Sequence, residues 1–209
     1  MPRVGLTRER VVAEAAALAD EVGFEGLGLS PLARRLGVAV PSLYKHVPGG
    51  LPALRREVSL LAIRELGEAL HGSLEAPRRE RLAALARAFR AYALAHPGRY
   101  AATVRAPDPA DAEWAAASDA VLQVVLGVLA GYGLSGVDAI DAARALRAAL
   151  HGFVALETLG GFGLPRDVER SFERLVEICD AALRTWRPRA TGRSGVGESP
   201  TTAGRGAAR

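Results

Sequence analysis

The segment from Leu36 to Val47, LGVAVPSLYKHV, admits few backbone conformations. Leu36 closes a short apolar helix, and Gly37 supplies the left-handed backbone needed to leave it. Val38 plugs the gap between two helices. Pro41 opens the next one, because a first-turn residue has no intrahelical use for its N–H. Leu43 and Val47, at i and i+4, face inward. Pro41, Ser42, Tyr44, Lys45 and His46 are then left on the outer face of a helix too short to need them for folding. A polar, aromatic and cationic face of that kind suits a helix lying in the major groove of duplex DNA, against base edges and phosphates.

The preceding residues supply the supports. Thr7 can cap a first helix whose apolar stripe, Val11, Ala15, Leu18 and Val22, runs until Gly23 ends it. A second, shorter helix runs from about Ser30 or Pro31 to Leu36. Three helices sharing one small core make a DNA-binding head over residues 1–50. The stretch LTRERVVAEAAALADEVGFEGLGLSPLARRLGVAVPSLYKHV resembles the N-terminal domain of the TetR family of bacterial transcriptional regulators. The resemblance implies that Ser42, Lys45 and, at its edge, Pro41 meet the major groove, while Tyr44 and His46 hold phosphates. Three departures stand out, one of them Ser30, where the family usually places a polar or basic residue. Gly28 replaces the usual capping Thr or Ser, which predicts a weaker or later start to the second helix, nearer Ser30. Gly50 stands near where the family commonly carries a lysine, leaving backbone N–H groups to meet a phosphate there.

The remaining chain has the composition of a helical body. It is 209 residues long and 49% hydrophobic, enough for a larger core behind the head. Arg, Asp and Glu are expected to interrupt its alanine-rich stretches before any apolar run reaches about eighteen residues, so no membrane span is expected. One cysteine, Cys179, excludes an internal disulfide and fits a reducing cytoplasm. The net charge of +4 sits in residues 187–209, where Arg187, Arg189, Arg193, Arg205 and Arg209 face Glu198 alone. That Gly-, Pro- and Ser-rich stretch is expected to be a disordered basic tail able to touch DNA.

Helix follows helix over residues 51–186, giving an all-α fold: a three-helix head plus a larger helical domain for ligand binding and dimerisation. A long helix from Leu51 to about Leu70 ties the two together. A helix from about Val137 to Leu159, which Ser135 can cap, is apolar on more than one side, and the helix from Val168 to Trp186 carries a regular stripe. Ile140, Leu150, Phe153, Val154, Phe172, Leu175, Cys179 and Leu183 are the candidates for packing against a second copy as a four-helix bundle. Gly152 in the first of these helices predicts close contact across an interface or into a pocket. From about residue 80 the chain, through AHPGRYAATVRAPDP, ALRAALHGFVALETLGGFGLP and the helix beyond, is similar to the WHG effector-binding domain of one TetR branch, without its name-giving tryptophan. That likeness implies a small-molecule effector. Phe89, Tyr92, Tyr100, Trp114, Tyr132 and His151 are the pocket candidates, in a chain so poor in aromatics that the site must be mainly aliphatic.

An enzyme is disfavoured. The four histidines, His46, His71, His96 and His151, form no HxxxH or HExxH pair, and there is neither CxxC nor a glycine-rich loop after a strand. No catalytic residue, metal or cofactor is therefore expected. The expected partners are operator DNA, a hydrophobic effector and a second copy of the chain, in the cytoplasm. A helical adaptor that binds only protein is the alternative, and it leaves the outer face of the recognition helix without a purpose.

Overall fold

The computed structural model describes residues 6–105, 108 and 110–187, and among them every regular element is helical. The α helices are α1 (Arg8–Val22), α2 (Leu29–Leu36), α3 (Val40–Tyr44), α4 (Gly50–His71), α5 (Arg81–Ala95), α6 (Pro97–Ala102), α7 (Ala112–Leu129), α8 (Gly136–Thr158) and α9 (Val168–Arg184). Their ends have local causes. Thr7 accepts the Arg10 N–H at the start of α1, Asp111 accepts the Trp114 N–H at the start of α7, and Asp167 does the same for Glu169 at α9. Gly37 leaves α2 at φ 68°, and its N–H and that of Val38 satisfy carbonyls of the last turn.

Two apolar cores lie on either side of α4. Val11, Ala15, Leu32, Leu43 and Val47 pack with Leu54 and Val58 of its first half into the core of the head. Leu66 and Leu70 of its second half join Leu85, Phe89, Val128, Leu146, Leu150 and Phe172 in the core of the body. Residue 50 is thus where α4 starts rather than a gap in packing, and one 22-residue helix is shared by both cores.

Several local expectations are corrected. Helix α2 starts at Leu29, not later, although no side chain caps it at Gly28. Helix α3 ends at Tyr44, so Lys45 and His46 project from the turn after it. Ser135 precedes α8 without a capping hydrogen bond from its side chain. The stretch Ala112–Tyr132 is long and apolar enough to cross a membrane, with a mean hydropathy of 1.5. The expectation of regular interruption fails there, because no Asp, Glu, Lys or Arg occurs between Ala120 and Val137. In the fold, α7 packs on α4 and α8, and Val124, Val128 and Leu129 are buried in the body. The basic tail, apart from Arg187, lies outside the described residues.

Candidate nucleic-acid interface and ligand cavity

Helix α3 is held from behind. Leu43 and Val47 are buried in the head core, with Val38 and Val40 packed against it. Pro41, Tyr44 and Lys45 are exposed, and Ser42 and His46 are half-exposed beside them. Lys45 is the single lysine of the chain, and it has no ion-pair partner among the described residues. Arg35 of α2 differs: its guanidinium is engaged by Glu14 at 2.8 Å and Glu21 at 2.7 Å of α1, which fixes α2 on its scaffold. Gly50 has a structural role. Its φ is 68°, and a Cβ built there would sit 3.1 Å from Cε1 of Tyr44. The tyrosine ring therefore rests over the first residue of α4, where a longer side chain would displace it.

A cavity of about 500 Å³ opens within the body, walled by α4, α5, α6, α7 and α8. Leu66, Leu70, Leu85, Phe89, Leu146 and Leu150 make a buried apolar interior, and Arg105, Asp119, Arg144 and Arg147 stand exposed at its rim. Val121, Leu122 and Val125 of α7 are half-buried because they face this space. Of the six ring residues singled out from sequence, Phe89 and Tyr100 line the cavity, with their rings edge to face at 5.4 Å. The Tyr100 hydroxyl is hydrogen-bonded to Nδ1 of His151 at 2.6 Å, which places His151 behind the wall. Burial pushes the Tyr100 phenol up to about 12, against the opposing pull of the Arg147 charge.

The other three rings are placed elsewhere, for identifiable reasons. Tyr92 donates to the Ala62 carbonyl at 3.0 Å, within the α4–α5 packing. Tyr132 donates to Asp180 at 2.6 Å and ties the end of α7 to α9. Trp114 borders a separate surface hollow with Arg56 and Asp111. The sequence reading missed Arg144 and Arg147, although they lie one turn apart beside an apolar stripe of α8, a pattern that was available to find them.

Between cavity and head stands α6. Tyr100 and Thr103 at its end face the cavity. Its start meets the head so closely that a Cβ on Gly98 would lie 1.9 Å from the carbonyl oxygen of Ala19 in α1. Next to it, Arg99 pairs with Asp20 of α1 at 2.8 Å and with Glu65 of α4 at 3.0 Å. The Arg99 backbone N–H also donates to Asp20, at 2.8 Å. One short helix thus touches the cavity, the head and the shared helix.

The dimerisation candidates need correction. Leu150, Val154, Phe172 and Leu183 are buried in the chain's own core, so they have no surface to offer a second copy. Ile140 faces the cavity, and Phe153 is covered by Phe162 and Phe172, at 4.8 and 5.2 Å. Leu175 and Cys179 are half-buried against the body core, and burial pushes the Cys179 thiol up. The uncovered large apolar residues of α8 and α9 are Val137, Leu156 and Ile178, with Leu159, Phe162 and Leu164 between the helices. On α8, Ala145, Ala148 and Gly152 continue the line of Leu156 at helical spacing, and a Cβ on Gly152 would meet nothing within 4 Å.

Comparison with known proteins gives a consistent picture. Residues 82–179 match the family described as tetracyclin repressor-like, C-terminal domain. The HTH-type transcriptional regulator Rv0681 of Mycobacterium tuberculosis is 40% identical over 158 residues, covering 74% of this chain and 72% of that protein. A solved structure from Rhodococcus sp. RHA1 is 26% identical, with a TM-score of 0.73 over 88% of this chain and 98% of its own. A TetR protein of Acinetobacter baumannii AYE in complex with minocycline is 24% identical and shares the fold, with a TM-score of 0.63 over 85% and 96% of the two chains.

Proposed function

Since this chain belongs to the TetR family of transcriptional regulators, we propose that it is a ligand-responsive repressor, released from a palindromic operator when a small hydrophobic molecule fills the body. The observation that carries this reading is the position of α6, with Tyr100 in the cavity wall and Gly98 and Arg99 seated on α1. A ligand that moves Tyr100 must also move the contact that orients the head. An operator-binding dimer needs two recognition helices spaced for successive major grooves, about 34 to 36 Å apart. A ligand that favours another spacing lowers operator affinity by its differential binding to the two states, typically about 1 to 3 kcal/mol.

Roles follow for the named residues. Lys45 and Ser42 meet base edges, with Pro41 at their margin, and Tyr44 and His46 hold phosphates on either side. The chain acts as a homodimer through the uncovered side of α8 and α9, where the line from Ala145 to Leu156 lets two helices approach closely. It works in the cytoplasm and carries out no catalysis of its own. Incubating the full chain with fragmented genomic DNA and sequencing what it retains tests the reading. Enrichment of a two-fold symmetric sequence whose half-sites are one helical turn apart is the expected result. Retention of DNA without any common sequence would contradict it.

A further inference from the structure

The cavity is not uniformly apolar, and its two ends differ in kind. Leu70, Leu85, Phe89 and Leu150 deep in the wall are almost wholly excluded from solvent. Each rim residue that carries charge is exposed: Arg105, Arg144 and Arg147, with Asp119 as the single acid lining the space. The three cations are not equally available. Arg105 is held by Glu25 at 3.1 Å, and Arg144 has only a loose contact with Asp141 at 3.9 Å. Arg147 donates to the carbonyl oxygens of Thr103 and Val104, at 3.1 and 3.3 Å, and has no carboxylate partner among the described residues. Neutral carbonyl acceptors orient a guanidinium without neutralising it. Arg147 therefore leaves uncompensated positive charge at the mouth of an aliphatic chamber, and Arg144, only loosely paired with Asp141, adds to it.

We infer that the effector is an amphipathic anion, an aliphatic or alicyclic body ending in a carboxylate, whose headgroup is held at the rim by Arg147 and Arg144. This assignment rests on the proposed role of the cavity as the effector site and narrows the chemistry that the site accepts. A neutral hydrocarbon gains only the apolar burial. A carboxylate gains in addition a charge-assisted pair with a guanidinium fork, roughly twice as strong as a neutral hydrogen bond. A cationic amphiphile meets two arginines of its own sign. Thr103 and Ser118, also on the wall, already donate their hydroxyls to the carbonyls of Tyr100 and Trp114, so the guanidinium groups are the donors left for such a headgroup. At about 500 Å³ the chamber lies within the range of about 300 to 1,000 Å³ common for small-molecule sites.

Isothermal titration of the full chain with decanoate, decanol and decyltrimethylammonium, each below its micellar concentration, tests the inference. Decanoate should bind at least tenfold more tightly than decanol, and decyltrimethylammonium most weakly. In the variant carrying Arg144→Gln and Arg147→Gln, decanoate and decanol should bind within twofold of each other while decanol affinity stays at its original value. Because Arg147 also braces the end of α6, Arg144→Gln alone is the control that leaves that brace intact. It should weaken decanoate severalfold and decanol not at all. Equal binding of decanoate and decanol by the unaltered chain, a preference that survives the double substitution, or absence of binding by all three compounds would each overturn the inference. Operator recognition is read separately by the genomic DNA retention experiment, so a chain that selects its operator but shows no preference for the carboxylate fails here alone.

Discussion

Head and body use their apolar residues in opposite ways. Around α1 to α4 the head closes on itself: Val11, Ala15, Leu32, Leu54 and Val58 show no exposed surface at all. The body encloses a large hollow and leaves Leu156, Leu159, Leu164 and Ile178 uncovered on its outside. A part that must present side chains at fixed positions to a groove needs a core with one packing solution. A part that must accept a ligand and a second copy needs surfaces that are incomplete without them. The two regions meet along α4 and at the contact of α6 with α1, and the proposed coupling has the softer region act on the stiffer one there.

The sharpest way to break this contrast is to remove equal volume from both regions. Leu32→Ala in the head should cost about 2 to 5 kcal/mol, because a filled core relaxes little around the void. Leu122→Ala in the cavity wall should cost clearly less, since one side of that residue already faces open space. Denaturant titration of both variants decides it, and equal losses would mean that the hollow is no softer than the head.

The join itself comes next. Gly98→Ala places a methyl group against the backbone of Ala19 and Asp20, so α6 must lift from α1. Overpacking of this sort typically costs about 1 to 3 kcal/mol. The expected result is a folded chain whose melting temperature falls and whose operator affinity no longer changes when the cavity is filled. An intact ligand response in this variant would show that coupling runs by another route.

On the outer face of the body the expected loss of monomer stability is small and the change in assembly large. Gly152→Leu meets open space within the chain, and Ile178→Asp alters a residue that is 65% exposed. Both should leave the helical content and melting of the monomer nearly unaltered while shifting sedimentation from dimer to monomer. Either variant remaining dimeric would move the interface away from this side of α8 and α9.

The smallest effect concerns pH at the start of α7. Hydrogen bonding from Arg56 holds the Asp111 carboxyl at about 2, well below its ordinary value. A carboxylate lowered on folding stabilises the fold above its unfolded pKa, near 4, and loses that contribution as pH falls toward its folded value. The deficit of Asp111→Asn relative to the unaltered chain should therefore be constant from neutral pH down to about 5 and shrink between about 4 and 2. A deficit that does not change with pH would mean that the charge of Asp111 is not what stabilises the start of α7, since asparagine can still cap it.

The head was legible because local chemistry decides it. Gly37 can hardly mean anything but an exit from a helix, and Leu43 with Val47 can only face one way once Pro41 starts the turn. The body was legible as helices but not as a site. An apolar stripe such as Leu150, Val154, Phe172 and Leu183 reads the same whether its partner is the chain's own core or a second copy. Position alone separates Phe89 from Tyr92, three residues apart on α5 but turned to a cavity and to α4. The signs that did carry site information were those that oppose burial: two arginines beside an apolar stripe at Arg144 and Arg147, and a glycine after Pro97 where α6 meets α1.

Lys45 offers the most direct measurement, because it is the chain's single lysine and stands on the face assigned to the major groove. Its substitution by alanine should cost about 1 to 3 kcal/mol of operator affinity per half-site and relax preference at one base position. A more immediate readout is the rate at which a lysine-selective acylating reagent modifies it, followed by mass spectrometry on the full chain. Bound to the sequence recovered from genomic DNA, Lys45 should react at least tenfold more slowly than in the free protein, and filling the cavity should restore the free rate. Lys45 reacting equally fast in the free chain and in its DNA complex would contradict the assignment of α3 and the turn after it as the element that reads DNA.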